Sequence, residues 1–313
     1  MITNFPGGVW PTMITPYKSD GSIDYENLKK MIDWYIENKV QGLFAVCQSS
    51  EMFFLSLEER IEVASFVKKY TNGRVPVIAS GHISDKLEDQ IKELNKMAET
   101  GVDALIFITN RLAAEDESDT VFINNLEKIL ESLPKDLPLG FYECPYPYKR
   151  LISPEIIKYC LKSERFYFIK DTSCDVENIR EKMNLVKGTK FKLYNANSAT
   201  LLETLPLGIA GYCGVMANFH PALYDWLLNN WEKEPQKAKD IMNFLSLASQ
   251  IERQLYPVNA KYNFALEGID ISYVSRSKDS NLFTSANKLE VEHLHDLVDK
   301  LSANLGISKF KSS

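Results

Sequence analysis

Phe166-Tyr167-Phe168-Ile169-Lys170-Asp171-Thr172-Ser173 is an apolar run that stops on a lysine. Aromatic and branched residues in succession, without polar alternation, suit a parallel strand buried on both faces. Taken as the strand Phe166–Ile169, it has seven companions: Val9–Thr15, Gly42–Val46, Val75–Ala79, Ala104–Ile108, Leu139–Tyr142, Phe191–Tyr194 and Ile209–Val215. Amphipathic stretches separate them. Leu28, Met31, Ile32 and Tyr35 fall at helical spacing behind Asp24, a suitable cap. Ser56 and Glu59 make a capping box ahead of Ile61, and Ser153-Pro154 places a cap and a first-turn proline before Ile156. Leu87, Ile91, Leu94 and Ala98 form a further stripe.

This alternation predicts an α/β fold, a (β/α)8 TIM barrel. A doubly wound open sheet is the alternative, but Pro11-Thr12-Met13-Ile14-Thr15-Pro16 is unlike the glycine-rich phosphate turn such a sheet carries after its first strand. Strand signals stop after about Trp231. Ile241, Phe244, Leu245, Ala248, Ile251 and Leu255 then read as one helix, and Leu294, Leu297, Val298, Leu301 and Leu305 as the last. The expected organisation is a barrel over 1–230 and a small C-terminal helical extension over 231–313, with Lys309–Ser313 as a frayed tail.

The 313 residues are 45% hydrophobic and 25% charged, as in ordinary globular enzymes. A net charge of −6 argues against a nucleic-acid partner. Five cysteines without a C-x-x-C pair point to free thiols in a reducing cytosol. Met1–Met13 shows no basic region leading into an apolar core, and no apolar run reaches the roughly 18 residues of a membrane span. A cytoplasmic location is therefore expected.

Barrel chemistry sits at the C-terminal ends of strands. A lysine there either pairs with a carboxylate, such as Asp171, or reacts, since a desolvated neutral amine adds to ketones. Tyr142 ends the fifth strand and is either a core tyrosine or a proton shuttle beside that lysine. After the second strand, Cys47-Gln48-Ser49-Ser50-Glu51 offers hydroxyls and backbone N–H groups that suit a carboxylate ligand, or simply start a helix. Cys47, Cys144, Cys174 and Cys213 fall at or just beyond strand ends and read as small polarizable core residues. Of four histidines, His293 and His295 stand two apart on a helix and make a poor metal pair, His82 either lines the mouth or holds a loop, and no metal site is expected. Gly208, Gly211 and Gly214 lack the lysine of a phosphate site and read as close packing.

The Cys47–Glu51 loop, Tyr142 with Pro145, Lys170 and the Gly208–Asn218 segment, in this order and spacing, resemble the dihydrodipicolinate synthase/N-acetylneuraminate lyase family. The resemblance runs from Thr12 and Asp20-Gly21 through Leu55-Ser56 and Glu58-Glu59-Arg60 to Ala217-Asn218. It implies an imine of Lys170 with pyruvate or a related 2-oxo acid, with Tyr142 shuttling protons. Ser49 would hold the substrate carboxylate with Gln48 and Ser50 beside it, Cys213 would present its backbone to the pyruvate moiety, and Asn197 with Ser198 would read substrate hydroxyls. The implied enzyme is a Schiff-base lyase, aldolase or dehydratase, acting on a 2-keto-3-deoxy sugar acid to give pyruvate. It would need no metal or organic cofactor and would form a homotetramer or homodimer. Condensation of pyruvate with an aldehyde, as in dihydrodipicolinate synthase, and a non-catalytic 2-oxo-acid binder are the alternatives.

Three departures stand out. Gln48 replaces the hydroxyl that links the tyrosine to a proton relay, Leu112 aligns with the relay's aromatic residue, and Pro147 stands where an arginine is usual. Arg111, Lys149 and Arg150 would supply positive charge for an acidic substrate, or else lie solvated at the surface.

Overall fold

A computed structural model describes residues 5–307; the expected tail Lys309–Ser313 lies outside them. The strands are β1 (Gly8–Val9), β2 (Leu43–Val46), β3 (Val77–Ala79), β4 (Ala104–Ile108), β5 (Leu139–Tyr142), β6 (Phe166–Asp171), β7 (Lys192–Asn195) and β8 (Gly211–Tyr212). A helix follows each: α1 (Tyr25–Glu37), α2 (Leu57–Thr71), α3 (Leu87–Ala98), α4 (Asp119–Ser132), α5 (Pro154–Ser163), α6 (Val176–Val186), the single turn α7 (Leu201–Thr204) and α8 (Pro221–Asn230). The caps read from sequence are present. Asp24 accepts the Asn27 N–H, Ser56 and Glu59 exchange hydrogen bonds, and Ser153 accepts the Ile156 N–H.

All strands run parallel in the order β1-β8-β7-β6-β5-β4-β3-β2. Among the described residues the first and second strands are joined by a bridge between Thr12 and Phe44, with the Phe44 N–H donating to Pro11 O at 3.1 Å and the Met13 N–H to Phe44 O at 3.0 Å, and by the Gln41 N–H donating to Val9 O at 2.9 Å. This closes the (β/α)8 barrel. The first and last strands are much shorter than Val9–Thr15 and Ile209–Val215. Pro11 has no N–H for a ladder, and the chain after Gly214 turns into a 3-10 helix over Val215–Asn218.

Within the barrel Trp10 meets Phe168 and Tyr194 edge-on at 5.1 and 5.7 Å, and those two rings stack at 4.2 Å. Gly42 is needed there: a Cβ would come within 2.3 Å of the Trp10 ring. Outside, Phe107, Phe141, Phe166 and Phe191 pack together with Phe122 of α4. The register passes from Leu139–Phe166 to Gly140–Phe168, so Tyr167 is an extra residue in β6. This bulge lets Phe166 join the outer cluster while Phe168 and Lys170 share the inner face.

The helical extension consists of α9 (Pro235–Ala248), α10 (Val258–Leu266) and α11 (Ser285–Asn304). The stripe from Ile241 to Leu255 is not one helix. It ends at Ala248, tightens to a 3-10 turn over Ser249–Arg253, and Leu255 is left-handed with φ 43°. Phe264 packs edge-on against Trp34 and Tyr35 of α1, fixing the extension to the barrel. Among the described residues no helix is long and apolar enough to cross a membrane.

Candidate active site

Tyr142 and Lys170 are register partners at the ends of adjacent strands. Lys170 is only 4% exposed, with its Nζ 4.1 Å from the centre of the Tyr142 ring and 5.9 Å from that of Phe44. It makes no ion pair with a described residue. Asp171 instead holds Lys182, whose Nζ lies 2.5 Å from Asp171 and 2.5 Å from Glu143. Glu143 also accepts N–H bonds from Ile152 and Thr172, at 2.8 and 2.9 Å. The residues following Tyr142 and Lys170 in sequence are thus clamped together on the far face. Burial raises the Glu143 carboxyl despite Lys182. Burial alone would lower the Lys182 amine, but the two carboxylates outweigh it and hold the amine above its ordinary value.

The Tyr142 hydroxyl donates to Gln48 Oε1 at 3.3 Å. Burial, reinforced by Cys144, pushes this phenol well above its ordinary range, so it stays protonated at neutral pH. Gln48 Oε1 also accepts from the Cys144 thiol at 3.5 Å. Ser49 Oγ donates to Thr12 Oγ1 at 3.0 Å. The hydroxyl of Tyr256, which the sequence did not single out, sits beside Ser49 and Thr12 and accepts from Asn218 Nδ2 at 3.0 Å.

Ser50 does not line the cleft. Its fully buried hydroxyl donates to Cys47 O at 2.7 Å and accepts the Cys47 N–H at 2.9 Å, so it folds the loop. Glu51, left-handed at φ 61°, is a latch. Its carboxylate takes Lys261 Nζ at 2.8 Å, Ser275 Oγ at 2.7 Å and the N–H groups of Arg276 and Ser277 at 2.7 and 2.8 Å. Burial works against ionisation there, yet Lys261 and the hydrogen bonds bring the carboxyl below its usual value. The loop is thereby tied to the extension.

These elements surround a cleft of about 530 Å³. Gln48, Ser49, Tyr142, Lys170 and Asn197 line it from the barrel, and Glu252, Arg253, Tyr256, Ser277 and Lys278 from the extension. The Asn197 side-chain Oδ1 accepts the Thr200 N–H at 3.0 Å and its backbone N–H donates to Asn195 Oδ1 at 2.8 Å, while its Nδ2 bonds no described residue. Ser198 does not line the cleft, because its hydroxyl is held by Tyr212 and Tyr224 at 3.1 and 2.6 Å. Cys213 is also absent from the lining. Its thiol is fully buried and pushed up to about 12 by that burial, its N–H donates to Asn195 O at 2.8 Å, and Gly214 and Val215 face the cleft instead.

His82 is structural. It is fully buried, accepts the Ile108 N–H at 2.6 Å, and burial lowers its imidazole to about 3, so it is neutral. No group of three or more His, Cys, Asp or Glu among the described residues is arranged to hold a metal. Arg111 pairs with Asp85, and Arg150 with Asp119 and Ala114 O; neither lines the cleft. Lys149 does, with its Nζ donating to Thr172 O at 2.7 Å. Leu112, which aligns with the relay's aromatic residue, is fully buried.

The dihydrodipicolinate synthetase family model matches residues 5–296. The 4-hydroxy-tetrahydrodipicolinate synthase of Methanocaldococcus jannaschii is 31% identical over 82% of this chain and 87% of its own. Among solved structures, dihydrodipicolinate synthase DapA-2 of Bacillus anthracis superposes with a TM-score of 0.83 at 23% identity, covering 95% of this chain and 99% of its own. YagE, a prophage protein of the dihydrodipicolinic acid synthase family from E. coli K12 solved in complex with pyruvate, gives 0.83 at 24% identity, covering 94% of this chain and 98% of its own.

Proposed function

The chain belongs to the dihydrodipicolinate synthetase family and is a lyase of the class I aldolase type, and from this premise we propose that Lys170 forms the imine on which a 2-keto-3-deoxy sugar acid is cleaved or dehydrated. The supporting observation is the pairing of a buried lysine, free of any carboxylate partner among the described residues, with a protonated tyrosine on the adjoining strand. Substrate enters with its carboxylate toward Ser49 and the loop around it. The Lys170 amine adds to the ketone, and Tyr142 donates a proton to the departing hydroxyl so that water leaves. The iminium then withdraws electrons from the C3–C4 bond. Asn197, with a donor amide to spare, faces the substrate's hydroxyl-bearing end. The reading carries with it a homotetramer or homodimer, which light scattering tests.

Incubation with pyruvate and borohydride should leave a reduced adduct that peptide mapping places on Lys170. An adduct on another lysine, or none with any 2-oxo acid, would end this reading. Tyr142→Phe removes one hydroxyl and little volume, so the fold should be retained while kcat falls by about 10²–10⁴. A kcat within a fewfold of wild type would make Tyr142 a packing residue.

The names of the relatives favour a second reading, condensation of pyruvate with aspartate semialdehyde. That aldehyde bears a second carboxylate and needs a positioned cation. Pro147 cannot supply one and Arg150 is engaged by Asp119, which leaves Lys149 on the cleft wall. We expect kcat/KM for aspartate semialdehyde to fall well below that for hydroxylated 2-oxo acids, with Arg150→Ala changing neither. Efficient condensation that is lost in Lys149→Ala would favour the second reading.

A further inference from the structure

A 2-oxo acid brings a carboxylate into the cleft, and the loop that faces it is short of side-chain donors. Gln48 stands where a hydroxyl is usual, and its carbonyl is turned to the Tyr142 hydroxyl and the Cys144 thiol. Ser49 keeps its hydroxyl but gives the proton to Thr12 Oγ1, so its oxygen is left as an acceptor. An acceptor does nothing for an anion.

The hydroxyl of Tyr256 lies beside Ser49 and Thr12, on the wall that the extension supplies. Asn218 decides how that hydroxyl is used. The Asn218 Oδ1 accepts from the Tyr35 hydroxyl at 2.5 Å, and its Nδ2 donates to Thr12 O and Val215 O, each at 2.9 Å. Backbone carbonyls only accept, so the atom facing them is the amide nitrogen. Its 3.0 Å contact with Tyr256 is therefore a donation to the phenol oxygen, and the Tyr256 proton is not spent on Asn218. Burial keeps that proton on the phenol at neutral pH. Thr12 is fully buried and does not line the cleft, whereas Tyr256 does. Of the three clustered hydroxyls, Tyr256 is the one with a proton left for the cleft.

We infer that Tyr256, carried by the helical extension, is the side chain that donates a hydrogen bond to the carboxylate of the 2-oxo acid. The inference rests on the imine reading of Lys170. With C2 bonded to the Lys170 amine, the C1 carboxylate lies toward the Ser49 loop and meets the Tyr256 phenol beside it. A charged acceptor makes such a bond about twice as strong as one between neutral groups. The two phenols of the cleft then have separate duties. Tyr142 moves protons, and Tyr256 holds the substrate and selects acids over neutral ketones. The barrel alone does not complete the binding site.

The test uses the intact protein, borohydride trapping and two ketones of similar shape, pyruvate and its neutral amide, pyruvamide. For each, the concentration giving half-maximal trapping is measured, and their ratio is the preference for the acid. Tyr256→Phe removes one hydroxyl while Asn218 Nδ2 keeps two backbone acceptors, so the fold should be retained. The preference for pyruvate over pyruvamide should fall about 10–100-fold. Tyr256→Met gives the same comparison if phenylalanine is not accepted in the wall. A preference within threefold of wild type overturns the role. That includes equal losses for both ketones, which would mark Tyr256 as a structural residue. A wild type that traps no 2-oxo acid defeats the imine reading itself, a result distinct from these.

Discussion

Lys170→Arg is expected to remove cleavage activity by a factor of about 10⁴ or more and to leave no borohydride-stable adduct anywhere on the chain. Guanidinium stays protonated in proteins and cannot form an imine, so charge is kept while nucleophilicity is lost. Since Lys170 has no ion-pair partner among the described residues and lies beside an open cleft, the exchange strands no buried carboxylate. Circular dichroism and thermal melting should match wild type. Lys170→Ala, which takes nothing extra into the barrel, provides the control if arginine proves too large. Cleavage that survives in either variant would move the chemistry to another group.

Lys182→Met, on α6, is expected to destabilise the fold by about 3–5 kcal/mol. The methionine chain fills the same space but leaves Glu143 and Asp171 buried without their cation. Urea or thermal unfolding measures the loss, which corresponds to a fall in Tm of roughly 10 °C. The pH dependence has a definite sign. Without the lysine, the folded-state pKa of Glu143 lies further above its unfolded value, so the folded protein binds the extra proton. The deficit should therefore shrink as pH falls into the range between those two values. Adding Glu143→Gln to Lys182→Met should recover part of the stability, because one of the stranded charges is gone. A loss below about 1 kcal/mol would show that the clamp contributes little.

The central strands were legible because each is a short apolar run bounded by turn residues: Ala104–Ile108 and Leu139–Tyr142 match their sequence readings end to end. The outer two were read too long, since apolar composition continues past Pro11 and Gly214 where ladder pairing cannot. Lys170, Tyr142, Gln48, Ser49 and Asn197 are brought to one cleft because strand ends converge in a barrel, a constraint readable from order alone. Ser50 and Ser198 lie outside the cleft lining for a different reason. Neighbours in sequence on a tight turn or strand point to opposite sides, and composition does not say which side is wet. Lys182 was missed because its partners are distant in sequence. Glu252 and Tyr256 were missed because a stripe running to Leu255 reads as continuous helix. The Tyr256-Pro257 pair was the available sign that the helix stops, since proline disfavours helical geometry in the residue before it.

The latch from Glu51 to Lys261, Ser275, Arg276 and Ser277 also has a bearing on how the protein is made. A ribosome issues the chain from its N-terminus at roughly 5–20 residues per second, so the loop carrying Ser49 emerges early and its anchor late. Until the anchor arrives, Glu51 has no cation and the barrel mouth has only one wall. For several seconds a nascent chain can hold all eight strands and Lys170 without a finished cleft. Chains broken off in that interval would keep Lys170 at the barrel mouth but lack the cleft wall that Tyr256, Ser277 and Lys278 form.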